Sequence, residues 1–155
     1  ESELMYSDKG PVPEGEYLLP IGVADIKRKG TDVTVISFGK MMKVALEAAE
    51  EMAKQGVSCE VIDLRTVRPI DYATCVESLK KTNRVVVVEE ANPIAGISSE
   101  LAYHFQRHAF DYLDSPVIRV NSMDIPLSYA PSYIDVTIPN VSRTVEAIKK
   151  VMYKS

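Results

Sequence analysis

Arg84-Val85-Val86-Val87-Val88-Glu89 is the stretch that decides the fold. Four consecutive β-branched residues favour an extended strand, and a strand's side chains alternate between its two faces. An unbroken valine run is therefore apolar on both faces. Such a strand belongs in the middle of a parallel sheet covered by helices on either side.

The flanking sequence repeats the strand-then-helix pattern. Val33, Val35 and Ile36 form a short β-branched run ending at Ser37-Phe38-Gly39. A helical stretch follows, with Met42, Ala45, Leu46, Ala49, Met52 and Ala53 at three- and four-residue spacing. Gly56 is placed to end that helix in the left-handed conformation. Val57 to Leu64 reads as a second strand and Tyr72 to Lys81 as a second helix. A helix over Ile97 to Tyr112 follows the valine strand, with Leu101, Phe105, His108 and Tyr112 in line. Val117 to Val120 is a fourth strand. Residues 121–140 are expected to be irregular, and Asn140 or Ser142 can cap a last helix. Four alternations of strand and helix predict a three-layer α/β/α domain with a mostly parallel sheet.

Residues 1–31 read differently from the rest. Pro11, Pro13 and Pro20 alternate with Gly10, Gly15, Gly22 and Gly30, which prevents long regular elements. Tyr17, Leu18, Leu19 and Ile21 are nonetheless apolar enough to pack. The expectation is an ordered interdomain linker over 1–31 and one domain over 32–155. The chain opens at Glu1, not at a methionine, so a piece cut from a longer polypeptide is expected.

With 155 residues, 46% apolar and 26% charged, the chain can form a core without disulfide or metal. A net charge of −4 argues against nucleic acid or an anionic membrane as partner. No apolar run reaches membrane-spanning length and no signal peptide is visible. Cys59 and Cys75 lie outside any Cys/His cluster and read as small core residues in a reducing compartment.

Candidate chemistry is sparse. Gly39-Lys40 sits between strand and helix, where an anion could meet free N–H groups, but the glycine spacing of a phosphate loop is missing. Glu100, His104 and His108 share a helix face that a metal could use; the favoured reading has Glu100 and His104 solvated or locally paired and His108 bordering the apolar stripe. Ser98 lacks a nucleophile-loop motif, and Ser98 or Ser99 is expected to cap the helix. Glu89 and Glu90 end the central strand, where open α/β sheets place function. No catalytic, cofactor-binding or metal-binding residue is assigned.

Val61-Ile62-Asp63-Leu64-Arg65-Thr66-Val67-Arg68-Pro69-Ile70-Asp71 closely resembles a signature in the C-terminal domain of 2-oxo-acid dehydrogenase beta subunits, a transketolase C-terminal-like fold. Blocks around Leu19-Pro20-Ile21-Gly22, Lys81 to Glu90, Ala109 to Pro116 and Ile138-Pro139-Asn140 resemble it in the same order. The match runs from about Tyr17 to Tyr153. Phe110 to Pro116 is more similar to the pyruvate-type enzyme than to the branched-chain one. Transketolase and deoxyxylulose-phosphate synthase share a looser version of the pattern, and a stand-alone anion-binding module is the alternative of a different class.

The resemblance implies a parent enzyme that decarboxylates pyruvate on thiamine diphosphate with magnesium and reductively acetylates a lipoyl group. It places the catalytic and cofactor residues outside these 155 positions, so the isolated chain is expected to bind neither cofactor and to be inactive. Its implied partners are an alpha subunit, a second beta subunit and the subunit-binding domain of the dihydrolipoyl acyltransferase. For that last partner the resemblance points to Asp114 and to the carboxylate ending the chain, here at Ser155. Asp63, Arg65, Pro69 and Asp71 are expected to fix the turn after the second strand. The implied compartment is the cytoplasm, or the mitochondrial matrix or a plastid in a eukaryote.

Overall fold

The computed structural model describes residues 5–6, 9–126 and 129–154. Its five strands are β1 (Asp25–Arg28), β2 (Val33–Ser37), β3 (Cys59–Asp63), β4 (Val85–Val88) and β5 (Ile118–Val120). Its α-helices are α1 (Met41–Lys54), α2 (Tyr72–Thr82), α3 (Ile97–His108), α4 (Pro131–Thr137) and α5 (Val141–Val151). The strands form one sheet in the order β1-β3-β2-β4-β5. β2 to β5 run parallel, and β1 joins β3 antiparallel.

The valine strand does what its sequence predicts. Val86 and Val88 pack with Val33, Val35 and Val61 beneath α1 and α5. Val85 and Val87 pack with Ile36 and Ile62 beneath α2 and α3. All four valines are fully buried. Burying one such side chain contributes roughly 1.5–3 kcal/mol, so both helix layers are needed. The chain steps from β2 outward to β3 and then returns past β2 to β4. Keeping a right-handed crossover while reversing direction places α1 on one face and α2 on the other.

Local sequence explains the ends of the elements. Gly56 takes φ 75° after α1, as its position predicts. Asn140, not Ser142, caps α5, accepting from the Arg143 N–H at 3.0 Å. Beneath α2, the buried Thr34 hydroxyl meets the Ser78 and Thr82 hydroxyls at 2.6 and 2.7 Å. That network satisfies the only polar side chain β2 turns toward α2. Gly30 is buried, and a Cβ there would come within 2.2 Å of the Cys59 carbonyl carbon.

The structure departs from the sequence reading at four places. The connector contributes β1, a short edge strand that β3's free side recruits. Pro131 opens helix α4 inside the stretch expected to be irregular, because proline's fixed φ suits the first helical turn. α3 stops at His108, and a single 3-10 turn over Phe110–Tyr112 follows. His108 is therefore exposed instead of bordering the core.

The loop after β3 clamps the connector to the domain. Asp71 caps α2, accepting the Thr74 N–H at 3.0 Å, and its other oxygen accepts the Ala24 N–H at 3.0 Å. Thr66 accepts the Gly22 N–H, and Arg65 reaches Asp25 at 2.6 Å. Asp63 accepts the N–H of Arg65, whose φ is 56°. The Arg68–Pro69 bond is cis, and a Cβ on Gly22 would come within 2.8 Å of the Pro69 ring.

Burial pushes the Asp71 carboxyl up, but the Thr74 and Ala24 N–H donors outweigh it and hold the pKa below its ordinary 3.8. A depressed pKa stabilises the fold above 3.8 and loses that contribution as pH falls through the folded value. Asp71→Asn is expected to lose about 1 kcal/mol near pH 7 and to narrow the gap to the parent in acid. Urea denaturation at pH 7 and pH 3 measures both; a gap that widens in acid contradicts the assignment.

Candidate functional site

Open α/β sheets place their sites beyond the carboxyl ends of the strands, where the chain reverses direction along the sheet. Here that point lies between β2 and β4. Met5, Phe38, Gly39, Lys40, Glu89, Glu90 and Ala91 line a cavity of 540 Å³ there. Gly39 turns the chain at φ 58°, and α1 begins directly after it with no side-chain cap. The sequence signal at Gly39-Lys40 thus falls on this cavity. Two glutamates line it too, and their charge opposes an anion.

Glu89 is the most deeply placed of these groups, at 2% exposure. Its carboxylate accepts the N–H of Ile97 at 2.8 Å, the N–H of Ser98 at 2.9 Å and Asn121 Nδ2 at 3.1 Å. Negative charge at the first turn of α3 is favoured by the exposed N–H groups there. A Cβ on Gly96 would come within 2.6 Å of Glu89 Oε2, so glycine lets the carboxylate close on the helix. Glu89 therefore caps α3 from another element, in the role expected of Ser98 or Ser99. Ser98 is buried and bonds Asn121 instead, and Ser99 accepts from Arg119 at 2.6 Å. With its oxygens engaged in this way, Glu89 is a poor general base.

The other candidates are dispersed. Tyr72 stacks on His104 with ring centroids 3.9 Å apart and donates to Glu100 at 3.0 Å. Burial and then the nearby His108 charge hold the His104 pKa below 6.5. Among the described residues no group of three or more His, Cys, Asp or Glu side chains could hold a metal ion. These residues do not fit a magnesium-bound diphosphate. Cys59 and Cys75 are buried, and burial pushes their thiols up to about 11 and about 12.

Asp114 lies at the opposite end of the sheet, before β5. Its side chain is 54% exposed and pairs with Arg84 at 3.1 Å. The left-handed Asn83 that ends α2 accepts the Asp114 N–H at 2.9 Å. Tyr153 donates its hydroxyl to the Asp114 carbonyl at 3.0 Å. The segment after α5 is thereby held beside Asp114. Ser155 lies outside the described residues. Asp63, Arg65, Pro69 and Asp71 occupy the connector clamp, away from both locations. Sequence reasoning assigned no role to Asp25, Asn121 or Tyr153, whose partners are distant in sequence.

The sequence profile of the family described as "Transketolase, C-terminal domain" matches residues 22–144. "Pyruvate dehydrogenase E1 component subunit beta" of Rhizobium meliloti (strain 1021) is 44% identical over 155 residues, covering 99% of this chain and 34% of that protein. "Pyruvate dehydrogenase E1 component subunit beta, mitochondrial" of Dictyostelium discoideum is 43% identical over 159 residues, covering 100% and 45%. The chain thus spans between a third and a half of these relatives' lengths. A solved structure described as "Split gene transketolase, inactive beta4 tetramer" superposes with a TM-score of 0.79 at 26% identity, covering 93% of this chain and 46% of that one.

Glu89→Ala is expected to destabilise the fold by roughly 2–4 kcal/mol, since it leaves the Ile97 and Ser98 N–H groups at the start of α3 without their acceptor. Chemical denaturation measures this, and a loss below about 0.5 kcal/mol contradicts the capping role. Neither cysteine is expected to react with a thiol-specific disulfide reagent at pH 8 in the folded protein, and both are expected to react in denaturant.

Proposed function

The chain belongs to the transketolase C-terminal-domain family, and we propose that it is the assembly and partner-docking domain of a pyruvate dehydrogenase beta subunit. Identity of 44% across essentially the whole chain carries this reading. In the parent enzyme, thiamine diphosphate with magnesium supplies the decarboxylation of pyruvate and the acetyl transfer to a lipoyl group. Both are held by segments other than this one. The engagement of Glu89 in capping supports that division, because it removes the deepest carboxylate of the strand-end cavity from chemistry.

Asp114 is the proposed contact for the subunit-binding domain of the dihydrolipoyl acyltransferase, and Ser155 is proposed as a further contact. Two features support it: the carboxylate is half-exposed, and Tyr153 ties the last turn of chain to the same spot. The alpha subunit and a second beta subunit are the other proposed partners. The superposed transketolase chain is itself part of a β4 tetramer, which agrees with an oligomer. Asp63, Arg65, Pro69 and Asp71 are proposed to serve positioning only, holding the connector between this domain and the one before it. No helix among the described residues is long and apolar enough to cross a membrane. The proposed compartment is the cytoplasm, or the matrix for a mitochondrial form.

The isolated chain is expected to give no pyruvate decarboxylation with thiamine diphosphate and magnesium; measurable turnover overturns the reading. Calorimetric titration with the acyltransferase's subunit-binding domain is expected to show binding that weakens with salt. Asp114→Lys is expected to weaken it by about tenfold. Undiminished affinity in that variant removes Asp114 from the contact.

A further inference from the structure

We infer that the open edge of β5 is a second docking site, built to take an extended acidic segment of a partner protein as a sixth strand. Among the described residues β5 ends the sheet and pairs only with β4. In a parallel ladder alternate residues direct their main-chain groups to opposite neighbours. The Val120 carbonyl accepts the Glu89 N–H at 3.0 Å, so Val120 and Ile118 face β4. Val117 and Arg119 therefore turn both N–H and C=O toward the open side. Asn121, next in that alternation, has its carbonyl taken by Arg143 Nη2 at 2.6 Å. Arg143 thus marks where the free edge stops.

The edge opens into a cavity of 770 Å³. Pro93 walls it on one side and α5, through Arg143, Lys150 and Val151, on the other. Among the described residues Arg119, Arg143 and Lys150 line the groove and no carboxylate does, in a chain of net charge −4. Arg119 bonds the Pro93 carbonyl and the Ser99 hydroxyl, and Arg143 bonds the carbonyls of Ile138 and Asn121. Those partners are uncharged, so among the described residues neither guanidinium has a compensating carboxylate. Lys150 is exposed and has no ion pair among the described residues.

These features select the occupant. A small anion could use the cations and N–H groups but would meet the outward carbonyls of Val117 and Arg119. A second copy of this edge would bring cations against cations. An extended peptide supplies donors and acceptors in alternation, and acidic side chains on it meet the three basic groups. The site adjoins Asp114 but calls for the opposite charge, and it does not depend on which oxo acid the parent enzyme uses.

The test is anisotropy of a fluorescein-labelled eight-residue peptide alternating glutamate and valine, titrated with the full chain at low salt. Binding is expected, with slowed hydrogen exchange at the Arg119 amide. Lys150→Glu is expected to weaken it about tenfold, and a lysine-valine peptide is expected not to bind. Lys150 makes no ion pair among the described residues, so the variant should retain its circular dichroism; if it does not, Lys150→Gln with an intermediate loss serves instead. Three results overturn the proposal: no binding, equal binding by the lysine peptide, or binding that leaves Arg119 exchange unchanged. Displacement of the peptide by millimolar inorganic phosphate at constant ionic strength also overturns it, in favour of a simple anion site.

Discussion

The covering of β4 on both faces governs this structure. Val85 and Val87 pack under α2 and α3, and Val86 and Val88 under α1 and α5. No water reaches such a strand, so its main-chain groups must be satisfied within the sheet or by buried side chains. The ladders with β2 and β5 do most of this, and Ser37 adds a hydroxyl to the Val88 carbonyl at 2.9 Å. Two helix layers in turn require the chain to reverse direction along the sheet. That reversal creates the cleft at the strand ends and leaves β5 as an outer edge.

Several carboxylates that might have signalled catalysis are instead fasteners. Glu89 closes the first turn of α3, and Asp71 joins α2 to the connector. Glu60 is buried on β3 and pairs with Lys81 while accepting the Gly30 N–H. Burial raises its pKa, yet the hydrogen bonds from Lys81, Ser78 and Gly30 bring it below the ordinary value. For Asp71 and Glu60 the hydrogen-bond donors replace the water lost on burial and favour the charged form. With these inner charges spent on fastening, the proposed docking positions lie at the rim, at Asp114 and along the basic edge of β5.

Much of the fold was legible in the residues. Strand runs, helix periodicity and the glycine after α1 all report local preferences, and the core amplifies them. Errors fell where local signals compete with tertiary opportunity. Prolines between 121 and 140 suggested irregular chain, yet Pro131 is compatible with a first turn and opens α4. Ser98 and Ser99 are good caps by type, but a carboxylate from the end of β4 arrives first because the sheet brings it beside α3.

By itself, the sequence determined the alternation of strand and helix, the central place of the valine strand, and a family resemblance spread in order along the chain. Those are set by short-range sterics and by apolar periodicity, which need no distant partner. The tertiary structure alone decided that β1 completes the sheet, that Arg65 and Asp71 reach back to Asp25 and Ala24, and that Tyr153 lies against Asp114. Each joins residues about forty positions apart. Hydrogen-bond geometry across such separations is set only when the sheet and its two helix layers have fixed where every loop ends.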